Sequence, residues 1–165
     1  MTKDQLINKV KYIYNQCSNL INESIGFIPE AASNVAIFCQ SEDEYRELQQ
    51  LADTLVIPSN NPRQKYFQLR DSIAIQDEGV APSAVFSWLY IRKPAQDTPE
   101  SGDIDYVLNQ SDYDTLKREV LNHTIRNGSV YDRIGWDMIE FRNEQYDGIP
   151  YICTLAMAEK VRLKF

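Results

Sequence analysis

One histidine (His123), three cysteines and six glycines are all that this 165-residue chain has of the residue types that most often announce a site. The cysteines, Cys17, Cys39 and Cys153, are odd in number and far apart, and no CxxC or Cys/His spacing occurs. That excludes a zinc finger and a disulfide scaffold, and leaves buried free thiols as the expectation. A single histidine gives little from which to build a Ser/His or Cys/His pair, and there is no Gly-x-Ser-x-Gly elbow. The glycines never cluster, so no phosphate-cradling loop is present. No apolar run approaches the roughly 18 residues that span a membrane. The start, Met-Thr-Lys-Asp-Gln, lacks the apolar stretch of a secretory leader, so a cytoplasmic protein is expected. A basic stripe is missing too: the densest positive stretches are Lys9–Lys11 and Lys160–Lys164, against a net charge of −7. Phosphate neutralisation supplies most nucleic-acid affinity, so direct binding to nucleic acid is not expected.

What is present is the composition of a folded domain. The 43% hydrophobic and 25% charged residues exclude wholesale disorder. Ten tyrosines and two tryptophans supply bulky, half-polar side chains suited to strands and to binding surfaces.

Thr2 and Gln5 make a capping box, and Leu6, Val10, Ile13, Cys17 and Leu20 follow at spacings of four and three. This predicts an amphipathic helix over 3–24, ended near Gly26 and Pro29. Its stripe suits packing on the domain's own sheet; the same spacing also suits association with a second copy or a partner protein. Asn34–Gln40 reads as a buried strand. Ser41 with Glu44 makes a second capping box, opening a helix whose first turn holds Glu42, Asp43 and Glu44 because the helix dipole favours negative charge there. Gln64–Ile75 and the very apolar Ser83–Arg92 read as strands, the latter central and covered on both faces, with Phe86, Trp88 and Tyr90 sharing one side. Lys93–Gly102 is a Pro-rich connection. Asp103–Leu108 is a strand and Asp112–Asn122 a helix with Tyr113, Leu116, Val120 and Leu121 inward. Val130–Ile134 and Trp136–Arg142 flank Gly135, and Pro150–Ala158 is the last strand, prolonged by the alternating tail Glu159–Phe165.

The order implies an α+β domain with a mostly antiparallel mixed sheet, built from two βαββ(β) halves and carrying an N-terminal amphipathic helix. Residues 1–30 form that helical element, and 31–165 a single α+β domain. The most site-like stretch is Ile134–Arg142, where Trp136, Met138 and Glu140 face one way and Asp137, Ile139 and Phe141 the other. Asp103 and Asp105, two apart on a strand, also share a side, as acid–base pairs do.

Gly102-Asp-Ile-Asp-Tyr-Val-Leu, a helix, and then Gly-Trp-Asp-Met-Ile-Glu-Phe at 135–141 resemble the second half of vicinal-oxygen-chelate (glyoxalase/bleomycin-resistance) proteins. The resemblance, spanning about residues 33–158 in outline, implies paired βαβββ modules curved around a pocket. In the family's enzymes a His and Glu set chelates a divalent metal, and Glu140 would stand at the late-strand ligand position. The early-strand ligand, typically histidine, is Asp103 or Asp105 here, and the first module offers no His or Glu on its strands. Three or four protein ligands are the usual need, so the resemblance points to the metal-free, ligand-binding members.

The expectation is therefore a non-catalytic binding domain without cofactor or metal. Phe86, Trp88, Tyr90 and Trp136 line an aromatic pocket, and Asp105 or Glu140 anchors a polar or cationic small ligand. Two alternatives stand beside it. One is a divergent metal-dependent lyase, isomerase or dioxygenase of the vicinal-oxygen-chelate type. The other is an acidic interaction module, using the N-terminal helix or mimicking nucleic acid to inhibit a nucleic-acid enzyme.

Overall fold

The computed structural model describes residues 1–77 and 79–164, with side chains through residue 161. The chain runs α1 (Lys3–Ile25), β1 (Glu30–Phe38), α2 (Glu42–Leu55), β2 (Phe67–Ile75), β3 (Ala84–Arg92), β4 (Gly102–Leu108), α3 (Gln110–Leu121), β5 (Gly128–Arg133), β6 (Trp136–Phe141), β7 (Ile149–Thr154) and α4 (Leu155–Lys164). All seven strands join one sheet, ordered β2-β3-β1-β4-β7-β6-β5. It is mixed: β1 runs parallel to β3 and β4 parallel to β7, while the other neighbours are antiparallel. Each half thus opens with a strand that pairs in parallel with the half's last strand. The two opening strands, β1 and β4, pair antiparallel at the centre. The second half reads strand, helix, three strands; the first has one strand fewer.

Local chemistry accounts for the helix ends. Thr2 accepts from the Gln5 amide while the Gln5 side chain accepts from Thr2, the capping box read from the sequence. Gly26 closes α1 at φ 80°, a left-handed conformation that glycine adopts without a Cβ penalty. Ser41 caps α2, and Glu44 accepts from the Gln40 amide at 2.7 Å and pairs with Lys9 at 2.6 Å. Burial alone would raise the Glu44 pKa, but Lys9 and the Gln40 amide outweigh it and hold the group below the usual carboxylate range. The acidic first turn is therefore structural.

Helices α1, α2 and α3 cover one face of the sheet and α4 the other. Leu6, Val10, Ile13, Cys17, Leu20 and Ile21 of α1 are closed to solvent against Val35, Leu89, Ile104 and Ile152. Burying one such aliphatic side chain stabilises by roughly 1.5–3 kcal/mol, so α1 belongs to the core. Tyr14 stands edge-on to Phe86 and stacks on Tyr106, whose hydroxyl meets Ser18 at 2.9 Å.

The structure differs from the sequence reading at several points. Phe86 does not share a side with Trp88 and Tyr90. The β2–β3 pairing shifts register between Gln68 and Ile73, so Phe86 and Leu89, three apart, both face the helices. Strand β3 is next to the edge rather than central, and β1 and β4 take the middle. Leu121, expected inward, is exposed at the end of α3. The last strand stops at Thr154, and most of the alternating tail is helix α4 instead; its end, Phe165, lies outside the described residues. Leu-Ala-Met-Ala-Glu-Lys is a run of strong helix formers, and that propensity prevails over the charge alternation. Among the described residues no helix is long and apolar enough to cross a membrane.

Candidate functional site

The face of the sheet under α4 is unlike the helix-packed one. Ala36 and Phe38 of β1, Trp88 and Tyr90 of β3, Asp103 and Asp105 of β4, Tyr151 of β7, and Trp136 and Met138 of β6 all project from it, as the strand register requires. Helix α4 crosses this face, with Ala158 packed on Ala32, Met138 and Cys153. It leaves a cavity of about 370 Å³ at one side, within the size range of small-molecule sites. Phe38, Tyr66, Tyr90, Tyr131, Trp136 and Tyr151 contribute rings, and Met138 and Val161 apolar surface. Asp103 and Asp105 line it too, and Lys65, Arg92 and Arg133 complete the lining.

The rings are arranged in pairs. Tyr66 and Tyr90, from the first half, lie 5.5 Å apart between centroids; Tyr131 and Tyr151, from the second, lie 5.9 Å apart. The two carboxylates sit on the strand between these pairs. Asp105 is only 3% exposed, and its carboxylate accepts from the Asn34 side-chain amide at 2.9 Å. The other end of that amide, Asn34 Oδ1, is buried with no hydrogen-bond partner. Asp103 accepts a long bond, 3.5 Å, from the Tyr66 hydroxyl.

Two carboxylates on one enclosed strand face do not ionise independently. Loss of solvent first, and the neighbouring Asp105 second, push the Asp103 pKa well above its ordinary value, against the opposing pull of Tyr66 and Arg92. Burial, then Asp103 and Asp105, likewise raise the Tyr66 hydroxyl. Burial, Asp103 and the bond to Glu140 raise that of Tyr151. These phenols therefore remain protonated donors.

Of the six residues named from sequence, Tyr90, Asp105 and Trp136 come together at this cavity. Trp88 lies on the same face, half-buried against the cluster that contains Ala36, Phe38, Tyr66 and Ile149. Phe86 is on the opposite face, in the core. Glu140 stands beside the cavity wall, where its carboxylate accepts from the Tyr151 hydroxyl at 2.7 Å and from Arg142 Nε at 2.8 Å. It is a strand carboxylate satisfied by neighbours, and Asp103 takes the place beside Asp105. Sequence reasoning missed Phe38, Tyr66, Tyr131 and Tyr151. For Tyr151 the signal was its place in the last strand; for Tyr66 and Tyr131 nothing local distinguishes them from the other tyrosines.

The donor set does not fit the divalent metal that the vicinal-oxygen-chelate resemblance implies. Among the described residues, no three of His, Cys, Asp and Glu gather closely enough to hold an ion, whereas such sites need three or four ligands. His123 is at the far end of α3, in a left-handed conformation at φ 58° that closes the helix. The thiols are poor nucleophiles: all three are buried, and burial pushes Cys39 up to about 12 and Cys17 well above the ordinary thiol value. A wider groove of about 670 Å³ lies beside Tyr12, Glu100, Arg142 and Asp147. There the polar groups largely pair with one another, Ser101 and Tyr12 with Asp147 and Arg142 with Glu100.

No family model matches this sequence, and no curated protein is significantly similar to it. A solved structure described as "Structural Genomics, Protein EC4020" is similar over 98% of this chain and 91% of its own, with a TM-score of 0.59 and 10% sequence identity. At that identity the likeness concerns the fold, an α+β chain with a mixed sheet.

Proposed function

We propose that this protein binds a small organic cation in the aromatic cavity beneath α4, without performing chemistry on it. The observation that carries the reading is the pair Asp103 and Asp105, set on one strand face between two pairs of tyrosine rings. A cation there gains the carboxylates' field and the ring quadrupoles together. The rings supply apolar contact area, and the protonated phenols supply donors for any polar group the ligand carries.

The second half's order of strand, helix and three strands, with its first strand parallel to its last, supports the resemblance to metal-free vicinal-oxygen-chelate binding proteins. Fold alone does not give function; the weight rests on the cavity. Burial of the α1 stripe in the core favours the pocket over a role for that helix in capturing partners. Location in the cytoplasm fits the three free thiols.

The test is a titration with aromatic amines followed by tryptophan fluorescence, since Trp136 lines the cavity. Saturable quenching that is lost in Asp105→Asn, with the variant still folded, is the expected result. Unchanged binding by Asp105→Asn would contradict the reading.

A further inference from the structure

Among the described residues, charges of both signs line the cavity. Asp105 is closed to solvent and Asp103 is half-buried, both on β4 near the middle of the sheet. Lys65 and Arg133 are exposed and Arg92 is half-buried. Arg92 lies over the Phe38 ring at 4.9 Å, and Arg133 over the Tyr131 ring at 4.6 Å. Arg133 also donates to the Tyr131 hydroxyl, and each guanidinium, with five N–H donors, keeps further ones for an anion. The register sets the scale. Asp103 pairs with Ala36 and Ala36 with Tyr90, so two strand spacings, about 10 Å, separate Asp103 from the strand that carries Arg92. Arg92 lines the same cavity and is close enough to act on the Asp103 charge from that distance.

Among the described residues Arg92 and Arg133 form no ion pair, and a simple cation would leave both without a counter-charge. We propose that the occupant is bipolar: a compact aromatic molecule with an ammonium-type group toward Asp103 and Asp105 and an anionic group, carboxylate or phosphate, toward Arg92 or Arg133. This rests on the pocket reading above and adds the ligand's second charge. Asn34, closed to solvent behind the cavity, donates to Asp105 and holds that carboxylate in place.

Three probes sharing one ring separate the possibilities, titrated by calorimetry into the full chain: benzylamine (cation), 4-methylbenzoate (anion) and 4-(aminomethyl)benzoate (both, at opposite ends). The bipolar probe is expected to bind roughly tenfold tighter than benzylamine. That margin should vanish in the double variant Arg92→Gln/Arg133→Gln, in which benzylamine itself should bind tighter because two like charges have been removed from the cavity. Benzylamine binding as tightly as the bipolar probe would overturn the second charge and leave the cation site standing. A margin that survives in the double variant would overturn the role of the two arginines. Preference for 4-methylbenzoate, or no binding by any probe, would overturn this inference and the cation site together.

Discussion

Asn34 and Asp105 meet across the junction of the two halves, with the amide nitrogen of one 2.9 Å from the carboxylate of the other. Asn34 lies within a register shift of β1, between Ala31 and Val35, next to Ser33 at a left-handed φ of 63°. The irregularity in the strand thus lies beside the carboxylate that the cavity uses.

Removing the amide tests how far that contact supports the fold. Asn34→Ala takes a donor from a buried carboxylate and should cost about 1–3 kcal/mol. Asn34→Asp adds a like charge and should cost more. Urea denaturation at pH 7 ranks the two.

Asp103 gives the pH dependence its sign. Its folded pKa is raised, so the folded state holds a proton that the unfolded chain has released above about pH 3.9. Its contribution to stability is full below that value and is lost as pH rises through the folded pKa. Asp103→Asn should therefore be more stable than the parent at neutral pH, the gap closing toward pH 4, as urea midpoints against pH would read. Cation binding should also release a proton, detectable by calorimetry in two buffers of different ionisation enthalpy.

On the helix-packed side the sign reverses. Asp137 accepts from the Tyr113 hydroxyl and from Lys117, tying β6 to α3. Burial would raise its pKa, but these two bonds lower it overall. Its contribution is present at neutral pH and lost as pH falls through the folded value. Lys117→Met should cost at most about 1 kcal/mol, because the pair is partly exposed. Asp137→Ala also strands the hydroxyl of buried Tyr113 and should cost about 1–3 kcal/mol. Denaturation of both variants at pH 7 checks the order.

Gly102 holds α1 against the central strands. A Cβ there would lie 2.2 Å from the Ala36 carbonyl oxygen and 2.8 Å from Ile13 Cδ1. Gly102→Ala should destabilise by about 3 kcal/mol or more, the upper end for overpacking, because one obstacle is backbone. A thermal melt of the variant beside Gly26→Ala, which meets nothing within 4 Å and bears only the cost of its positive φ, separates crowding from backbone strain.

Caps and apolar periodicities are local, and they were legible in the sequence: Thr2 with Gln5 and the Leu6-to-Leu20 stripe form as their spacing implies, while of the second capping box only the Ser41 half forms, Glu44 reaching the Gln40 amide instead. So was the paired side of Asp103 and Asp105. Register shifts were not, because they depend on which strand lies next door; this is how Phe86 went to the wrong face. The tyrosine pairs were hidden for the same reason. Tyr66 and Tyr90 are 24 positions apart and Tyr131 and Tyr151 are 20 apart, joined only by the fold. Glu140 drew notice as a lone acid among apolar residues, whereas its partners, Tyr151 and Arg142, become visible only in three dimensions.

The central claim is that the carboxylates of β4 hold a cation in the aromatic cavity. Calorimetric titration of benzylamine at pH 7 into the parent chain and into Asp103→Asn/Asp105→Asn addresses it most directly. The account predicts saturable one-site binding to the parent and none to the double variant, with the variant's urea transition still cooperative. Equal binding to both proteins, or no binding to the parent, would contradict it.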